Sequence, residues 1–265
     1  MTSATEAAPA TPLRPLARLL FLETVLVLGV SLGRSAWYSV LSIIDLLTRK
    51  AALSTQTSAL NVSVTPNRPW LDLTYQLSDI VFPLVPVALA LYLLTTFHRP
   101  AEGVVVALGV VPRRWGFDVG WGALLFAGIG VPGLGLYLGA RAIGVNTTVA
   151  AANLASHWWT IPVLVLSALM NGVLEETVML GYLFTRWRQA GWAPVVAVVT
   201  SALIRGSYHL YQGFGGFIGN LIMGLIFGTF YLRTKRLGPL IVAHFLLDVA
   251  SFVGYSLLHG RVSWL

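Results

Sequence analysis

Apolar runs of about 20 residues, nearly free of charge, recur along this 265-residue chain, and each is long enough to cross a roughly 30 Å hydrocarbon layer as a helix. Few folds are open to such a chain, because a backbone in lipid must satisfy its own hydrogen bonds and an open sheet cannot do so. The expected class is all-α, a polytopic integral membrane protein. Runs over about 17–45, 78–97, 117–140, 158–187, 193–212, 215–232 and 238–258 read as seven transmembrane helices. An eighth would have to lie within 46–77, where Arg49, Lys50, Asp72 and the Pro66/Pro69 pair read as a polar loop. Composition agrees: 10% of residues are charged, against about 25% in an ordinary soluble domain.

Residues 1–16, rich in Ala, Thr and Pro, read as a flexible tail, 17–150 as N-terminal transmembrane helices, and 151–265 as a helical core that carries the chemistry. The net charge of +7 fits loops facing an anionic membrane surface, and no nucleic-acid motif is present, so the bilayer is the expected partner and nucleic acid is not. With the amino terminus cytoplasmic, ten loop cations fall inside (Arg14, Arg18, Arg99, Arg113, Arg114, Arg186, Arg188, Arg233, Lys235, Arg236) and five outside (Arg49, Lys50, Arg68, Arg141, Arg261). The expected location is therefore the plasma membrane, multi-pass, with the amino terminus in the cytoplasm. The chain has no cysteine, which excludes a disulfide framework, a thiol nucleophile and Cys-type metal sites.

Inside the spans stand Glu23, Arg34, Glu175, Glu176, Arg205, His209, Asn220, His244 and Asp248, all but the first two in the last four spans. A carboxylate at the bilayer centre costs about 2.5–3.5 kcal/mol on insertion scales, so adjacent glutamates must be paired, protonated or wet. Glu175 lies 13 residues before Arg188 and His209 lies 15 after Pro194, which places both about 20 Å from the same side, able to share a water as general base and imidazole. Neighbouring helix positions point about 100° apart, so one glutamate faces that water and the other supports it. His244 and Asp248, at i and i+4, share a helix face. They sit shallower by this count, and convergence needs a tilted span or a sunken 233–238 loop. Arg205 shares a face with His209 and could neutralise a glutamate or hold a substrate carboxylate. Glu23 and Arg34 read as packing or interhelix partners.

The runs Glu175-Glu176-Thr-Val-Met-Leu180-Gly181-Tyr182-Leu183, Ser201-Ala-Leu-Ile-Arg205-Gly-Ser-Tyr-His209 and Leu240-Ile-Val-Ala-His244-Phe-Leu-Leu-Asp248 resemble the CPBP family of intramembrane proteases, also called CAAX protease, bacteriocin-processing or Abi proteins. The resemblance covers residues 165–255. It implies that Glu175 is the base, Glu176 its supporting neighbour, His209 a second water-binding group, and His244 with Asp248 the oxyanion side. Leu180 stands where the family motif has arginine, and Arg205 where it has phenylalanine. This fits a cation relocated to a facing helix, and makes competence depend on Arg205 reaching the glutamates. An ionised aspartate cannot donate to an oxyanion, so Asp248 is expected either to be protonated or to accept from His244, whose imidazolium then donates.

The leading expectation is an intramembrane endopeptidase of the CAAX protease type, a hydrolase acting on a membrane-embedded or lipidated peptide or protein with no cofactor. The alternatives are a metal-dependent intramembrane protease, since Glu, His and Asp are all ligand types though no H-E-x-x-H occurs, and a non-catalytic bacteriocin-immunity or membrane-partner protein. A transporter or proton relay is a further class, against which stands the lack of a visible inverted repeat.

Overall fold

The computed structural model describes residues 13–97, 102–110 and 114–262, which are overwhelmingly helical. Among these residues eleven α-helices run in order: α1 (Leu13–Gly29), α2 (Leu32–Thr48), α3 (Pro69–Val81), α4 (Leu84–Phe97), the single-turn α5 (Val104–Ala107), α6 (Trp115–Ala142), α7 (Thr160–Glu176), α8 (Leu183–Gln189), α9 (Pro194–Ser207), α10 (Phe214–Thr234) and α11 (Gly238–Leu258). A π-helical stretch, Thr177–Tyr182, joins α7 to α8 without interruption. Five stretches are long and apolar enough to cross a membrane: Pro69–Thr95, Trp115–Ala142, Thr160–Gln189, Phe214–Thr234 and Gly238–Leu258. The bent pair α1–α2 makes a sixth if it is one span, and α9 is apolar but has only 14 residues. The protein is thus an all-α polytopic membrane protein.

Three local features differ from the sequence expectation. The run 17–45 is not one straight helix: α1 and α2 meet at 58°. No proline causes this. Ser31 Oγ donates to the Val27 carbonyl at 2.6 Å, and a Cβ at Gly33 would stand 2.7 Å from the Leu28 carbonyl oxygen, so the bend needs glycine there. The polar loop 46–77 is shorter than expected, because Pro69 is the first residue of α3 rather than a loop marker; its missing N–H has no partner to lose in a first turn. Part of that loop also forms β1 (Thr57–Ala59), which pairs in parallel with β2 (Thr148–Ala150). Residues 1–12 of the expected tail lie outside the described residues, and its last four already belong to α1.

The connections sort to two ends, as alternating crossings require. At one end the α2–α3, α6–α7 and α9–α10 connections are hydrogen-bonded together: Thr147 N–H donates to the Gln212 carbonyl at 2.9 Å and Ser58 Oγ to the Tyr211 carbonyl at 2.6 Å. At the other, Leu237 N–H donates to the Leu108 carbonyl at 3.0 Å, and Arg236 grips Asp118 at 2.9 and 2.8 Å. Arg236 is therefore a buried ion-pair partner and not a free loop charge. The same holds for Arg186, fully buried, which donates to Glu23 Oε1 at 2.6 Å, to Gln189 at 2.8 Å and to the Leu93 carbonyl. Glu23 also accepts from Tyr182 Oη at 2.8 Å, so it is the interhelix partner its sequence position suggested.

The helix that carries both glutamates is central. Within Thr160–Gln189, 67% of the most apolar window is buried inside the protein, against 6% for Trp115–Ala142. Val178, Met179, Leu180, Tyr182, Leu183 and Phe184 pack there with Phe227, Leu237, Leu240 and Ala243.

Candidate active site

Two glycines let neighbouring helices approach until polar groups meet. A Cβ at Gly172 of α7 would lie 3.2 Å from the Ile241 carbonyl and 3.6 Å from His244 Cβ, so α11 rests directly on α7. A Cβ at Gly224 of α10 would lie 2.8 Å from Ala202 Cα and 3.4 Å from Arg205 Cδ, which seats α10 on α9. Small residues at helix contacts serve this close approach generally in membranes. In the 233–238 connection Arg236, Leu237 and Gly238 are buried while Arg233 and Lys235 are exposed, and His244 reaches Glu176.

Glu176 is fully buried and accepts from Arg205 Nη2 through both carboxylate oxygens at 2.8 Å, while His244 Nδ1 stands 2.6 Å from its Oε1. Glu175 Oε2 accepts from Tyr208 Oη at 2.5 Å and from Arg205 Nη1 at 3.3 Å. Its Oε1 has no protein partner among the described residues and is left to the cavity. Arg205 is fully buried, with its guanidinium 5.6 Å from the Phe227 ring centroid. It reaches both acids from the helix facing Leu180, which is itself buried among apolar side chains. Its place fits neutralising the glutamates; it is not among the residues lining the cavity, as a group holding a substrate carboxylate would be.

The π-helical stretch begins directly after Glu176. A π turn inserts an extra residue and rotates the next turn relative to an α-helix, a device often found beside functional residues. Here the glutamates are followed by a wholly buried segment, and Arg186, ten residues past Glu176, faces Glu23 rather than the site.

His244 and Asp248 do not make the expected hydrogen bond. Nε2 of His244 is 3.9 Å from Asp248 Oδ2, while Oδ2 accepts from Asn171 Nδ2 at 2.7 Å. The same Nε2 is also 3.9 Å from Glu175 Oε2. Both gaps exceed a hydrogen bond. His209 follows the end of α9, where its Nδ1 lies 3.0 Å from the Arg205 carbonyl. That carbonyl can only accept, so Nδ1 carries the proton and Nε2 is the acceptor.

Glu175, His209, His244 and Asp248 line one cavity of about 1540 Å³, walled on its other sides by residues of α2, α3, α4, α6 and α10. Tyr208 and Asn171, which sequence reading passed over, line it too. Asn171 had one usable signal: it precedes Glu175 by four residues and so shares its helix face. The ligand atoms of Glu175, Glu176 and His244 lie within 4.8 Å of one another, close enough to hold a cation. Arg205 occupies both oxygens of Glu176, however, and would have to withdraw before a metal could use them.

Glu175, two histidines and an aspartate on the wall of one cavity, with Glu176 buried behind them, form a cluster of acid–base groups in a polytopic helical protein. Residues 157–250 match the family described as Type II CAAX prenyl endopeptidase Rce1-like, a match that supports the CPBP/CAAX protease family. The match runs from just before α7 into α11 and contains the six candidate site residues Glu175, Glu176, Arg205, His209, His244 and Asp248. No curated protein and no solved structure matches the chain. The family supports an intramembrane endopeptidase in general.

Proposed function

We propose that this protein cleaves a peptide bond of a membrane-embedded or lipidated substrate with a water activated by Glu175 and His209. The observation that carries this reading is the free Oε1 of Glu175 on the same cavity wall as His209, His244 and Asp248. A water there gives its proton to Glu175 while a second hydrogen bond runs to His209 Nε2, the arrangement general-base catalysis requires. As the carbonyl carbon becomes tetrahedral, its oxygen gains charge. His244 in its doubly protonated form, held through Nδ1 on Glu176, offers Nε2–H into the gap between Glu175 and Asp248. Glu175 then returns the proton to the leaving amine. Glu176, Arg205, Tyr208 and Asn171 position these groups without touching substrate.

In this reading residues 151–265 supply the chemistry and the helices within 17–150 supply much of the cavity wall, in a plasma-membrane protein with a cytoplasmic amino terminus. The test compares membrane peptides, by proteomics, from cells making the wild type or Glu175→Gln, with turnover of the peptides so found measured on purified protein. Glu175→Gln and His209→Ala should each lower turnover by roughly 100-fold or more while the protein stays folded. Full turnover in Glu175→Gln rejects the mechanism. A cellular role that survives Glu175→Gln favours the binding protein over the enzyme.

A further inference from the structure

Strand β2 has one edge on β1 and another on the cavity. In the parallel register Thr57↔Thr148, Ser58↔Val149, Ala59↔Ala150, Thr148 N–H donates to the Gln56 carbonyl and Leu60 N–H to the Ala150 carbonyl, both at 2.9 Å. The main-chain groups of Thr148 and Ala150 therefore face β1, and by alternation those of Thr147 and Val149 face away, while the Ala151 carbonyl, just past the strand, accepts from Asn61 Nδ2 at 2.8 Å. At Thr147 this outer edge is already used: its N–H donates to the Gln212 carbonyl at 2.9 Å, and Asn146 forms an antiparallel bridge with Gly213. The segment so held begins three residues after His209. One step along, the outer edge carries no further strand among the described residues, and Ala151 there is 3% exposed. Val149 N–H is capped by Tyr137 Oη at 3.1 Å, and neither the Val149 carbonyl nor the Ala151 N–H has a partner among the described residues. Val149, Ala151 and Tyr137 line the same cavity as Glu175 and His209.

We infer that the substrate peptide binds as an extended strand added to the outer edge of β2 at Val149–Ala151, continuing the pairing that Gln212 begins and so delivering a peptide bond to Glu175 and His209. This rests on the protease reading and adds the conformation in which the substrate is recognised. Three features argue for a peptide strand as the occupant. Unpaired main-chain groups on a strand edge are satisfied most fully by another strand. The edge is continuous with the loop that carries His209. A helix, with its main chain already paired, could not use the Val149 carbonyl or the Ala151 N–H, and its peptide bonds would be shielded from attack. Tyr137 closes the edge by supplying one acceptor to Val149 N–H, and an arriving strand would displace it.

The chain has no cysteine, so a single one placed at Val149 is a unique cross-linking site. In a Glu175→Gln background that blocks cleavage, Val149→Cys protein in detergent is oxidised with a short leucine–alanine peptide carrying one cysteine, moved one position at a time. Disulfide yield should alternate with a period of two along the peptide, the signature of strand pairing. Adding Ala151→Pro, which removes the unpartnered N–H but no bond to β1, should lower the best yield by roughly 2–10-fold, the worth of one net hydrogen bond. A period of three to four positions, or yields no higher than those of a cysteine at the exposed Val195, overturns the strand inference. Because cross-linking needs no turnover, such a failure leaves the protease reading standing, and loss of the protease reading leaves the cross-linking result intact.

Discussion

Replacing Arg205 by phenylalanine, the residue usual at this place in the family, tests the unusual feature of the site. Arg205 is fully buried and donates to both oxygens of Glu176 at 2.8 Å and to Glu175 at 3.3 Å. Its removal leaves two adjacent buried carboxylates in contact with His244 as their one remaining cation among the described residues. Breaking a buried ion pair by removing one partner costs about 3–5 kcal/mol. The new ring would lie near Phe227, whose centroid is 5.6 Å from the present guanidinium, and an aromatic pair returns about 0.5–1.5 kcal/mol. A net loss of about 2–4 kcal/mol remains, or a drop in Tm of roughly 4–16 °C for a chain near this size. Adding Leu180→Arg puts a guanidinium four residues past Glu176, where the family motif has it, and should recover most of that loss, although Leu180→Arg alone buries an unpaired cation and is harmful. The assay is a double-mutant cycle on Tm and turnover in one detergent. Losses additive within about 0.5 kcal/mol, or a wild-type Tm for Arg205→Phe, refute the relocated cation.

Three other outcomes are expected. Tyr208→Phe removes the 2.5 Å hydrogen bond to Glu175 and should lower kcat by about 10-fold or more, the worth of a bond to a charged group; an unchanged kcat would show that Tyr208 does not hold the base. Arg186→Met should destabilise by about 3–5 kcal/mol through loss of its buried pair with Glu23, yet leave kcat per folded molecule unaltered, as thermal melting alongside active-fraction kinetics would show. Single cysteines at 190 and 214 should react with a membrane-impermeant reagent from opposite sides of the bilayer, and labelling of both from one side contradicts the topology.

The glutamates, His209, Arg205, His244 and Asp248 were legible because ionisable groups in apolar spans announce themselves. Their partners were not. His244 and Asp248 are spaced to touch along one helix, but the approach of α11 to α7 at Gly172 gives His244 to Glu176 instead, and Asn171 takes Asp248. Tyr208 and Asn171 are uncharged and have no such signal. Arg186 and Arg236 were counted as loop charges because hydropathy marks where a span ends and not the packing of the chain beyond it; both are buried on acids from other helices. The bend between α1 and α2 goes with local contacts of Ser31 with Val27 and of Gly33 with Leu28, where no proline marks it.

The rim of the cavity adds a condition on how its chemistry is measured. Phe82, Val85 and Val131 line it and yet are 70%, 58% and 74% exposed, so this part of its wall is apolar and turned toward the surroundings of the helices, which in a membrane are hydrocarbon. For the membrane substrate proposed above, entry on this side means arrival by lateral diffusion, with encounters counted per unit area of bilayer and not per litre. In detergent the governing variable becomes the mole fraction of substrate in the micelle: at fixed molarity of protein and peptide, extra detergent slows the reaction by surface dilution, without any change in the site.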